Sequence, residues 1–420
     1  MNTANKKQTK ELTEHFFRTE YGKIVAVITK YIGVNNVETA EDIVQETLLK
    51  AVDYWEQNGI PPNPKAWLYT TAKNTTLNIL KRKKLQTKYN LEEAKNSNIL
   101  EQLDFSNERI KDEQLKMMLA CCHPSISENS QIALILKILC GFSISEIASA
   151  FFSSTETINK RLVRGRKQLR KNNITLEIPK NLNEQLESIY KTIYLLFNEG
   201  YSPAQKNELI RIDLCLEAIR LTELLANSTH IKKKANCYAL LALMYLNASR
   251  FEARINTNNS IIEMEQQDRT KWNQDLIQRG FHYLNLATKE NTVSKTLILA
   301  SISANYCIAP NFLATNWEEI LSLYDKLIQL EDSPIIRLNR SVIVAKAKGN
   351  RVAIKELQEL KNKSDIEKHP LFHATIAEFF KQENEIIKAI EHLKKAISFT
   401  KNERDLNLLE KKLTAIVPIS

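Results

Sequence analysis

Glycine is almost missing from this chain. Only 8 glycines and 10 prolines punctuate 420 residues. Leu, Ile, Lys and Glu are abundant, and a chain with few breakers and many helix formers folds as helices. The same scarcity excludes whole classes of function. The closest pair of glycines is Gly22 and Gly33. That spacing rules out a P-loop, a G-x-G-x-x-G dinucleotide turn and a G-x-S-x-G nucleophile elbow. Scattered His and Asp residues form no catalytic triad. The length allows two or three domains with real cores, and the formal net charge of +10 favours an anionic partner.

Four parts follow along the chain. Residues 11–90 form a helical unit ending in a basic run, and 91–112 are a polar linker that includes Glu92, Glu93, Glu101, Asp104 and Glu108. Residues 113–175 form a second helical unit, again ending in basic residues, and 180–420 carry successive helical patterns with little strand signal. The uncharged stretch Thr296–Trp317 is long enough to span a bilayer, but Asn305, Pro310, Asn311 and Asn316 make it a buried helix plus turn. With a polar start and no apolar signal region, the protein is expected in the cytoplasm, off the membrane, with six reduced cysteines.

In the first unit, Ile43, Val44, Thr47, Leu48, Ala51, Val52 and Trp55 recur at helical spacing as one buried stripe, with Thr39 or Glu38 as the cap. Asp42, Gln45, Glu46 and Lys50 lie off that stripe. By itself such a face reads better as a solvated one. A proline-rich loop then leads to a helix from Pro64 to Lys84, with Trp67, Leu68, Ala72 and Leu80 on its packed face. It ends in Lys81, Arg82, Lys83 and Lys84, with Lys73, Asn74 and Asn78 nearby. Four consecutive cations exceed what a helix C-terminus needs, which favours phosphate contact.

The second unit carries the most specific pattern. Ser143-x-x-Glu146 and Ser153-x-x-Glu156 are two capping boxes either side of a tight turn near Phe152. That is helix-turn-helix spacing. Ile144, Ile147, Ala148 and Phe151 form the buried side of the first helix; Ile158, Leu162 and Leu169 anchor the second. The second helix presents Thr155, Thr157, Lys160, Arg161 and Arg164, followed by Arg166, Lys167, Arg170 and Lys171. Residues near its start suit base edges, and cations further along suit phosphates. Cys121, Cys122, His123 and Cys140 lack the spacing of a structural zinc site and read as buried thiols, so no metal and no cofactor is implied.

Together these segments resemble the sigma factors of bacterial RNA polymerase, in the small extracytoplasmic-function class. AEDIVQETLLKA resembles the region 2 helix that docks on polymerase. KAWLYTTAKNTTLNILKRKK resembles the helix that meets the promoter near the start site, and ISEIASAFFSSTETINKRLVRGRKQLRK resembles region 4. The resemblance implies an all-α protein with core RNA polymerase and promoter DNA as partners. It implies docking by Asp42, Gln45 and Glu46, and contacts of Asn74 and Asn78 with the melted strand. Residues 196–202, 268–272 and 316–317, with Ala120 to Pro124, resemble landmarks of a subgroup with a long helical extension.

Bottom-up, the tail reads as tetratricopeptide-like repeats. Ala353-Ile354-x-x-Leu357 recurs as Ala389-Ile390-x-x-Leu393, and Pro334 and Pro370 share the same offset. Arg250 to Arg254 reads as another turn between paired helices. Such a stack offers a groove for a protein or peptide partner, or serves as a plain scaffold. Glu199 and Tyr201 mark one place where a small molecule could bind. The alternative for the whole chain is a helix-turn-helix regulator with a repeat-type sensor domain, which would need no docking face at Asp42, Gln45 and Glu46. An enzyme carried by the tail lacks any motif.

Overall fold

The computed structural model describes residues 3–86, 103–151, 153–179, 182–201, 210–255, 262–290, 292–363, 365–400 and 403–416. Within those spans, the side chains of 3–15, 81–86, 184, 362–363, 365 and 403–404 lie outside the description. The described residues are helical with no strand, in two compact units: 1–196 with 223–232, and 197–222 with 233–420.

The first unit is built around α1 (Thr3–Ile32). Its segment Ile24 to Ile28 is wholly buried on every side, the mark of a helix enclosed by neighbours. On one side lie α2 (Val37–Asn58) and α3 (Pro64–Gln86); on another lie α4 (Asn107–Cys121) and the π-helical turn Ile135–Leu139 that extends α5 (Glu128–Leu134). Gly22 makes this possible, because a Cβ there would overlap the backbone carbonyl of Leu139. The helix-turn-helix follows as α6 (Ile144–Ala150) and α7 (Thr155–Lys171). Gly165 of α7 lets Leu134 approach, since an added Cβ would lie 2.8 Å from its Cδ1.

Several local expectations shift. Helix α2 begins at Val37 after Asn36, so Glu38 and Thr39 sit in its first turn and neither caps it. Helix α4 begins at Asn107, capped by Ser106, inside the stretch read as linker. Residues 91–102 of that stretch lie outside the described residues.

The chain passes from one unit to the other within α8 (Leu182–Tyr201) and α9 (Ile212–Ala226). In the second unit α10 (Ala235–Ala248) is almost entirely buried and packs against α11 (Gln274–Thr288) and α12 (Lys295–Ile308). Gly280 of α11 sits against Leu246, where a Cβ would lie 2.6 Å from its Cγ. The turn expected at Arg250 to Arg254 does not join these helices directly. Three short 3₁₀ turns, Phe251–Ala253, Met264–Gln266 and Arg269–Lys271, intervene. Thr296 to Trp317 is helix α12 and a turn, as the polar residues required. No helix among the described residues is long and apolar enough to cross a membrane.

The remaining helices stack in order: α13 (Trp317–Leu330), α14 (Pro334–Lys348), α15 (Asn350–Lys363), α16 (Pro370–Gln382), α17 (Ile386–Phe399) and α18 (Glu403–Thr414). The repeat read from sequence falls on equivalent places. Pro334 and Pro370 open α14 and α16, whereas Ala353, Leu357, Ala389 and Leu393 are buried in α15 and α17.

Gly22→Ala tests the enclosure of α1. On an exposed helix this change stabilises by about 1 kcal/mol. Here the overlap with Leu139 reverses the sign, and a loss of about 1–3 kcal/mol is expected in urea unfolding. A stabilised variant would show that α1 is not enclosed.

Candidate polymerase and nucleic-acid interface

Helix α2 buries Ile43, Val44, Thr47, Ala51 and Trp55, and the Thr47 hydroxyl donates to the Ile43 carbonyl at 2.8 Å. Leu48 is half-buried and Val52 is exposed, so the apolar stripe is narrower than its sequence suggests. Asp42, Gln45 and Glu46 all point to solvent. Glu46 pairs with Lys50 at 2.7 Å, and Lys50 also donates to Thr75 at 3.1 Å. Leu49, 66% exposed, continues the face one turn beyond Gln45 and Glu46. Sequence reasoning passed over it. The signal was there, since Leu49 falls off the buried stripe.

Asn63 sets the start of α3, its Oδ1 accepting the Ala66 amide at 3.0 Å. Leu68 and Ala72 are fully buried. Trp67 is half-buried, stacked on Tyr54 at 5.3 Å and edge-on to Trp55 at 5.8 Å; Leu80 is also half-buried. Asn74 and Asn78 are exposed and Lys73 is half-buried. The side chains of Lys81, Arg82, Lys83 and Lys84 lie outside the described residues, on a helical backbone. Tyr69 ties α3 inward, donating to Glu20 at 2.6 Å and stacking on Phe105 at 4.7 Å.

The first capping box forms as expected. The Ser143 hydroxyl accepts the Glu146 amide at 3.1 Å, and Glu146 accepts the Ser143 amide at 2.7 Å. The second does not form as a box, because the cap falls one residue later. Ser154, not Ser153, caps α7, its hydroxyl accepting the Thr157 amide at 3.1 Å. Ser153 instead donates its amide to the Ala148 carbonyl, closing α6. Phe152 lies outside the described residues. Ile147 and Ala148 are buried while Ile144 and Phe151 are half-buried; Ile158, Leu162 and Leu169 anchor α7.

On the outer face of α7, Thr155, Lys160, Arg164 and Lys167 are exposed, and Thr157 and Arg161 are half-buried. Lys160 pairs with Glu156 at 2.7 Å. Val163 stands 57% exposed beside Arg164, an apolar group on an otherwise cationic helix that sequence reasoning also passed over. Two cations assigned to the phosphate set turn the other way. Arg166 pairs with the buried Glu41 and reaches Glu38, and Arg170 pairs with Glu38 at 3.2 Å. Arg18 of α1 pairs with Glu146 and lies over the Phe142 ring at 4.6 Å. Burial pushes the Glu41 carboxyl up, and the Arg166 charge opposes that shift.

The cysteines at 121, 122 and 140 are buried. Burial pushes Cys122 up to about 12, which leaves it a neutral thiol. His123 holds Ser125 through Nδ1 at 2.8 Å.

Residues 16–86 match the family Sigma-70 region 2, and residues 116–169 match Sigma-70, region 4. Residues 185–288 match DUF6596, a family of unknown function. The chain is 32% identical over 333 residues to Uncharacterized protein R00370 of Rhizobium meliloti (strain 1021), covering 77% of this chain and 78% of that one. It is 27% identical over 165 residues to RNA polymerase sigma factor YlaC of Bacillus subtilis (strain 168), covering 38% of this chain and 90% of that one. The chain belongs to the extracytoplasmic-function sigma factors. It carries a C-terminal extension, and the sigma family is not a family of enzymes. No solved structure matches it.

In this sigma factor, regions 2 and 4 are therefore in direct contact, through α1 and through the Glu38/Glu41 to Arg166/Arg170 pairs. The start of the extension belongs to the same unit. Ser188 and Thr192 of α8 donate to Gln131 Oε1 at 3.3 and 3.0 Å, Lys191 pairs with Glu128 at 2.5 Å, and His230 meets Asp112 at 2.9 Å.

Neighbouring cations on α7 should therefore behave differently. Arg166→Ala strands the buried Glu41 and should cost about 3–5 kcal/mol in chemical denaturation. Lys167→Ala should leave stability within about 0.5 kcal/mol of wild type. Equal stability of the two variants would remove the ion pair from the account of this interface.

Proposed function

We propose that this sigma factor docks on core RNA polymerase through the face of Asp42, Gln45 and Glu46, widened by Leu49. An exposed leucine among acidic and amide groups suits a desolvated anchor ringed by polar contacts. Asn74 and Asn78 meet the melted strand, with Lys73 and the run Lys81 to Lys84 on the adjacent phosphates. Helix α7 enters the major groove. Thr155, Thr157, Lys160, Arg161 and Arg164 face base edges, Val163 suits a thymine methyl, and Lys167 meets phosphate.

The observation that carries the reading is the division of charge on α7. Lys160, Arg164 and Lys167 are free of region 2 while Arg166 and Arg170 hold it. Promoter elements near the start site and upstream are separate places on the duplex, so reading both parts the Glu38/Glu41 pairs from Arg166 and Arg170. The extension regulates that step, either holding the two regions in place or setting the spacing they adopt when open. A tethered domain acts at high effective concentration on its own chain. A protein or peptide partner of the repeat stack would shift the balance. The alternative, a helix-turn-helix regulator with a repeat sensor, gives no role to the exposed Asp42 face.

Three expected outcomes test this. Asp42→Arg with Glu46→Arg should abolish binding to core polymerase in a pull-down while the fold survives; wild-type capture would refute docking there. Arg161→Ala or Arg164→Ala should weaken upstream-element recognition by about 1–3 kcal/mol, and Lys167→Ala should weaken all sequences alike and flatten the salt dependence. Full sequence preference in both arginine variants would remove them from base reading. For the extension, the comparison is a chain cut after about Lys180, which also removes α8 from Gln131 and Glu128. Promoter-specific transcription should change strongly, in either direction, and transcription equal to full length would leave the extension without a regulatory role.

A further inference from the structure

The second unit contains a cluster of guanidinium groups that the sigma function does not use. Arg250 is 8% exposed. One of its terminal nitrogens donates to the Tyr201 hydroxyl and lies 3.4 Å from Asn247 Oδ1. Arg269, half-buried in the 3₁₀ turn before α11, donates to the carbonyls of Tyr306 and Ala309. Both guanidiniums stand over the same indole, Trp272, with Cζ 5.7 and 4.6 Å from the ring centroid. Neither pairs with a carboxylate among the described residues.

Three donors in this cluster are buried without a hydrogen-bond partner: Arg250 Nε, Arg269 Nη2 and Trp272 Nε1. A buried charge is retained when it is paired, and a buried donor when it meets an acceptor. Here two positive charges share one aromatic platform, and the acceptors they hold are neutral oxygens. Burial and the nearby Arg250 charge both hold the Arg269 guanidinium below its ordinary range. What the cluster lacks is negative charge and acceptor oxygens together. Charge-assisted hydrogen bonds from arginine to phosphate or carboxylate supply both.

We propose that Arg250, Arg269 and Trp272 form a binding site for a small oxyanion, the phosphate or carboxylate group of a metabolite. Arg269 is its solvent-side member and Arg250 its inner one. Tyr201 backs the site, its hydroxyl fixed by Arg250 and its ring covered by Arg254 at 3.7 Å. The site belongs to the second unit and the residues proposed for polymerase and DNA to the first, and binding there does not require that the extension regulate transcription.

The test is calorimetric titration of the full-length chain with inorganic phosphate, and separately with citrate, at ionic strength matched with chloride. At least one probe should bind with Kd below ~1 mM. Preference for phosphate or for citrate distinguishes the two oxyanion sources. Arg269→Gln should weaken that binding at least ~10-fold. Trp272→Phe keeps the ring and removes one donor, and should weaken it about 5-fold. Arg337→Gln, a surface arginine already paired with Asp332 at 2.6 Å, should bind as wild type does. Absence of binding by both probes, or binding unchanged in both Arg269→Gln and Trp272→Phe, would overturn the site.

Discussion

The enclosure of α1 is the constraint on which the first unit depends. A helix buried on every side from Ile24 to Ile28 has no solvent face to spare there, so its neighbours must surround it. Region 2 supplies one wall through α2 and α3, and the start of region 4 supplies another. At Gly22 the backbone meets the Leu139 carbonyl with no room for a side chain. The π-helical turn Ile135–Leu139 presents that carbonyl. The two sigma regions thus share a core.

That shared core gives α7 two occupations. One set of its cations, Arg166 and Arg170, satisfies Glu41 and Glu38 of α2. Another, Lys160, Arg164 and Lys167, stays in water. The Arg166 pair is nearly buried and the Arg170 pair exposed, so the first is costly to break and the second contributes little. Glu41 neighbours Asp42 in sequence, so the acidic start of α2 contains one residue turned inward to region 4 and another turned outward.

The extension has its own organisation. Its buried helix α10 plays the part that α1 plays in the first unit, with Gly280 allowing α11 to close on Leu246. The irregular connection between α10 and α11 is where the chain departs from a plain repeat, and it carries Arg250, Arg269 and Trp272. From α13 onward the stack is regular, because equivalent prolines open helices and equivalent alanines and leucines pack between them.

The sequence by itself determined the helical class, the helix-turn-helix, the repeats of the tail, and the outward set of Asp42, Gln45 and Glu46. Each depends on period and capping, which act within a few residues. Local rules also have local errors: two adjacent serines, Ser153 and Ser154, offer the same cap, and packing of Ser153 onto α6 selects the second. Only the tertiary structure decided which cations on α7 face solvent and why Gly22 is a glycine. Helical periodicity says which residues share a face. It does not say what that face meets, because Glu41 and Arg166, or Arg250 and Trp272, are brought together by how separate helices and turns pack.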